Sequence, residues 1–91
     1  MAEADDATRP LRLIVQQAEL PSGSFSYRLV VYGHSCVYNR SDFDSLAQLR
    51  EIVRSVLPEL EIPAKGGTDT KILFSTDLDL SAKQLRLLGV L

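Results

Sequence analysis

The sequence predicts an α+β domain on a small, mainly antiparallel four-stranded sheet. Its elements run β-β-β-α-β-α, with one long helix on one sheet face and a short helix at the C-terminus. Three observations predict it. Runs rich in β-branched and aromatic residues recur in the first half of the chain, broken by Pro, Ser and Gly. Apolar residues between Ser41 and Leu57 fall at helical spacing. The stretch from Ser81 opens on a Ser-x-x-Gln pattern and meets a glycine after one short apolar-periodic run.

Residues 1–9 read as a disordered acidic tail ended by Pro10, and residues 10–91 as a single domain, since 91 residues leave little room for two cores. Leu11–Glu19 reads as the first strand. Leu20-Pro21-Ser22-Gly23-Ser24 is a turn: proline presets φ, serine bonds the local backbone and glycine reaches positive φ. Phe25–Tyr32 is the second strand. Gly33-His34 then fits a two-residue type II′ hairpin loop, which sets Tyr32 opposite Ser35, Val31 opposite Cys36, Val30 opposite Val37 and Leu29 opposite Tyr38. Directly opposed residues share a face. Phe25, Tyr27, Leu29, Val31, Cys36 and Tyr38 therefore make a core face, and Arg28, Val30, Tyr32, Val37 and Asn39 look the other way.

Ser41 is read as the N-cap of the main helix, with Asp44 at N3 and acidic charge on the positive end of the helix dipole. Leu46, Leu49, Val53, Val56, Leu57 and Leu60 form its apolar stripe, and Pro58 stops it near Val56 or Leu57. Glu59–Thr70 reads as a loop and Lys71–Thr76 as the fourth strand. Asp77-Leu78-Asp79 reads as solvated acid ahead of a helix capped by Ser81 and Gln84. That helix runs to Leu88, with Gly89 at C′ and Val90 behind it, as a Schellman motif prefers.

The function classes narrow by exclusion. Ten basic and twelve acidic side chains give a net charge of −2, and that imbalance lies in the first ten residues; the remainder holds nine of each sign. A neutral body with dispersed cations does not predict nucleic-acid binding. No apolar run has the roughly 20 residues that span a bilayer, so no membrane partner is expected, and an acidic, leaderless start implies a cytoplasmic protein. His34 and Cys36, the only residues of their types, are expected at a loop tip and on the core face; too few for a zinc site, too far apart for a nucleophile–base pair. Among catalytic signatures, neither Gly-x-Ser-x-Gly, His-Glu-x-x-His nor Cys-x-x-Cys is present. The expectation is a non-enzymatic protein without metal or other cofactor.

Tyr38-Asn39-Arg40-Ser41-Asp42-Phe43, between a hairpin and a leucine-spaced helix, resembles the signature of the phosphoinositide-binding PX domain over about a quarter of the chain. Only Ser41-Asp42-Phe43 is literal. The family's basic pair falls on Tyr38 and Asn39 and its tyrosine on Arg40, so the phosphate-holding residues are replaced and the likeness is not adopted.

The second sheet face carries the leading expectation. Val30, Tyr32 and Val37 lie on it, joined by Leu11, Leu13 and Val15 in one register of the first strand or by Ile14 and Ala18 in the other. Apolar residues on both faces need two covers, and the chain supplies one sizeable helix. A small protein–protein interaction module that pairs with itself, or with another protein, follows, with Val15, Val30, Tyr32 and Val37 as interface candidates. The alternative is a small-ligand or anion-binding domain using the Lys65–Lys71 loop with Arg28 or Arg40; its candidates are Arg40, Lys65, Gly66 and Gly67.

Overall fold

The computed structural model describes residues 7–65 and 71–91. Strands β1 (Thr8–Glu19), β2 (Phe25–Tyr32) and β3 (Val37–Phe43) are followed by helix α1 (Leu46–Val56), strand β4 (Ile72–Ser81) and helix α2 (Ala82–Leu88). The sheet runs β3-β2-β1-β4, antiparallel throughout, which is the expected α+β arrangement.

β1 is longer than expected. Thr8 and Arg9, assigned to the tail, pair with Ser81 and Leu80 of β4, and residues 1–6 of that tail lie outside the described residues. Pro10 sits where β1 pairs only with β4, because the β1–β2 register begins at Arg12 opposite Tyr32; a residue without an N–H is tolerated where one ladder is absent. The Leu20–Ser24 turn forms as read: Leu20 N–H donates to the Ser24 carbonyl (2.7 Å) and Gly23 takes φ 89°.

The β2–β3 loop differs from the expected two-residue turn. Tyr32 pairs with Val37 and Val31 with Tyr38, so the loop is Gly33–Cys36, closed by Gly33 N–H to the Cys36 carbonyl (2.9 Å). Gly33 has no positive φ. What demands glycine is space, since a Cβ there would stand 2.6 Å from Leu11 Cδ2. The register slips by two residues, and an even slip keeps every side chain on its expected face.

α1 starts four residues late. Tyr27 pairs with Phe43, so β3 consumes Ser41 and Asp42. Ser45 caps α1 instead: Gln48 N–H donates to Ser45 Oγ (3.2 Å), and Asp44 N–H donates to Gln48 Oε1 (2.6 Å). Sheet pairing at Phe43 outweighed a local cap at Ser41. β4 in turn runs past Thr76 to Ser81. Asp77 and Asp79 are its outward residues, alternating with the half-buried Leu78 and buried Leu80. α2 matches its reading, with the Ser81–Gln84 capping box, Gly89 at φ 80°, Gly89 N–H to Arg86 O (3.0 Å) and Val90 N–H to Leu85 O (3.2 Å).

Both helices pack on one side of the sheet. α1 contacts β2, β3 and α2, while α2 contacts β4 and α1. Leu13, Val15, Leu29 and Val31 of the sheet, Leu49 and Val53 of α1, and Leu85 and Leu88 of α2 belong to one buried cluster, closed by Ile62 of the connector. The short C-terminal helix therefore covers the same face as α1.

Candidate interaction face

The opposite face is built by the alternation of four strands. Its rows follow from the register. The first is Val37, Tyr32, Arg12 and Asp77; the second is Asn39, Val30, Ile14 and Ser75; the third holds Arg28, Gln16 and Ile72. Ser26 and Ala18 form the end row. None of these residues is buried. β1 settles the register question in favour of Ile14 and Ala18 on this face. Val15 lies on the other, fully buried under the helices at 0% exposure, so it leaves the set of interface candidates. Val30 is half-buried, Tyr32 is 36% exposed and Val37 is 68% exposed.

The apolar side chains on this face form a diagonal stripe. It runs from Val37 and Tyr32 at the hairpin corner, through Val30 and Ile14, to Ile72, which is 50% exposed at the start of β4. Polar groups flank it on both sides, so the face is amphipathic rather than wholly apolar. On one flank Arg12 is held bidentately by Asp77, with Nε to Oδ1 and Nη2 to Oδ2 both 2.9 Å, while Nη1 donates to Ser75 Oγ (3.2 Å). Both partners are solvent-exposed, so this pair fixes geometry more than it adds stability, about 1 kcal/mol at most. On the other flank stand Asn39, Arg28 and Gln16.

At the Phe25 end lies a cleft of about 620 Å³, lined among others by Gln16, Glu19, Ser26, Arg28, Ser41 and Lys71. Arg28 and Lys71 thus line one cleft, and neither forms an ion pair with a described residue. The other anion candidates do not join them. Arg40 is on the helix-covered side: Nη1 donates to the Leu88 carbonyl (3.1 Å), Nε donates to Asp42 Oδ1 (2.6 Å), and the guanidinium lies 4.7 Å from the Phe43 ring centroid. Lys65 is exposed on the connector and is not among the lining residues, and Gly66 and Gly67 lie outside the described residues.

His34 is exposed in the hairpin loop, while Cys36 is half-buried against the core. No group of three or more metal-ligating side chains occurs among the described residues. Among them, too, no helix is long and apolar enough to cross a membrane. Compared with protein-family models, with curated proteins and with solved structures, the chain finds no match.

Proposed function

We propose that this protein is a small non-catalytic interaction module that pairs with a second copy of itself through the uncovered sheet face. The observation that carries this reading is the placement of both helices on one side, which leaves the Val37–Tyr32–Val30–Ile14–Ile72 stripe open to solvent. A second copy is favoured over a strongly charged partner because Arg12 and Asp77 already neutralise each other on this face and Arg28 and Asp79 balance in sign. A two-fold places such a neutral surface against itself without like-charge repulsion. A body of zero net charge adds no long-range repulsion.

The dimensions set the strength. Four strands about 4.8 Å apart and about eight residues long offer on the order of 500 Å² per copy, the low end of specific interfaces. A dimer with micromolar dissociation is expected. Sedimentation velocity from about 1 to 300 µM should show the 10.1 kDa chain passing to a species of twice that mass. Val30→Arg should hold it at the monomer while leaving its circular dichroism unchanged. A wild-type chain that stays monomeric across the range removes the reading.

A further inference from the structure

We infer that the cleft at the Phe25 end is a binding site for a small organic phosphate monoester. Register puts Arg28 opposite Gln16 and Gln16 opposite Ile72, so Arg28 and Lys71 stand on either side of β1. Two inter-strand spacings put their backbones about 10 Å apart, a gap that two long cationic side chains close around one compact anion. The guanidinium supplies a planar fork of donors and the ammonium a point charge, the pairing that suits a tetrahedral oxyanion. Ser26 and Ser41 add hydroxyl donors on the same walls. Neither cation forms an ion pair with another described residue.

The rest of the lining selects an ester over free phosphate. Ala18 and Phe25 are among the lining residues, and the volume of about 620 Å³ exceeds what one inorganic ion fills. Among the described lining residues Glu19 stands against Arg28 and Lys71, so they carry one net positive charge. The cleft lies at the opposite end of the face from Tyr32 and Val37, but Arg28 borders both cleft and stripe, so the Val30→Arg monomer serves as a second background in which the same binding is expected.

Titration of the ¹⁵N-labelled chain with phenyl phosphate, inorganic phosphate and phenol at constant ionic strength tests the site. Phenyl phosphate should bind most tightly, with amide shifts concentrated at Ser26, Arg28 and Lys71. Arg28→Gln and Lys71→Gln should each weaken it by about tenfold or more, and Glu19→Gln should strengthen it. Equal shifts in wild type and in the Arg28→Gln/Lys71→Gln double variant, or none at millimolar phenyl phosphate, would overturn the site. Sedimentation of the same samples reports the dimer separately, so either reading can fail alone.

Discussion

Arg40 donates to the carbonyl of Leu88 across 48 residues of sequence, tying strand β3 to the last turn of α2. The guanidinium also lies over Phe43 and pairs with Asp42, so one side chain joins the sheet edge, the core and a helix C-terminus, where positive charge is favoured. Arg40→Ala should lower stability by about 1.5–3 kcal/mol and leave phosphate binding unchanged. Gly89→Ala attacks the same junction, placing a Cβ 2.5 Å from Arg40 Nη1 at a residue with φ 80°, and should cost at least about 1 kcal/mol. Urea unfolding of the two variants provides the measurement.

Leu13 and Ile14 are neighbours on opposite faces, the first fully buried and the second half-buried on the open face. Leu13→Ala should cost about 2–5 kcal/mol. Ile14→Ala should cost about 1 kcal/mol or less in dilute solution. Comparable losses at both positions would mean that the two faces are covered alike.

Gly33→Ala isolates a packing requirement from a backbone one. No positive φ is involved, yet the new methyl group meets Leu11. A loss of about 1–3 kcal/mol is expected, and Leu11→Ala in the same chain should recover part of it, which a double-mutant cycle reads directly.

The hydrogen bond from Arg40 holds the Asp42 carboxyl below its ordinary value. A carboxyl with a depressed folded-state pKa stabilises the fold above the unfolded value, and that contribution disappears as pH falls through the folded one. Asp42→Asn should therefore be less stable than the parent at neutral pH, with the gap closing on acidification below about pH 4. Because Asp42 is exposed the gap will be small, so chemical-denaturation midpoints at several pH values are the appropriate measurement.

Local chemistry was legible in the sequence and distant pairing was not. α2 is written into five residues, Ser81, Gln84, Leu85, Gly89 and Val90, whose capping hydrogen bonds all lie within six positions. The stripe of α1 was equally plain, but its start was misplaced because Phe43 joins Tyr27 in a ladder that no local cap reveals. Asp77 and Asp79 looked like acids before a helix, whereas their alternation with Leu78 and Leu80 was the strand signal. The face occupied by Val15 depended on register, which one residue of slip reverses. Arg40 offered no sign of its partner at Leu88, and Lys71 none of the cleft it lines with Arg28.

The placement of β1 between its sequence neighbour β2 and the distant β4 has a kinetic consequence. The two hairpins close over short loops, but joining β4 to β1 brings together residues such as Arg12 and Asp77, 65 positions apart. Loop-closure entropy makes that the late event, after the main barrier, and until it occurs one edge of β1 stands bare to other chains. Folding kinetics should accordingly respond to Val31→Ala and hardly at all to Leu80→Ala, whose cost should surface as faster unfolding.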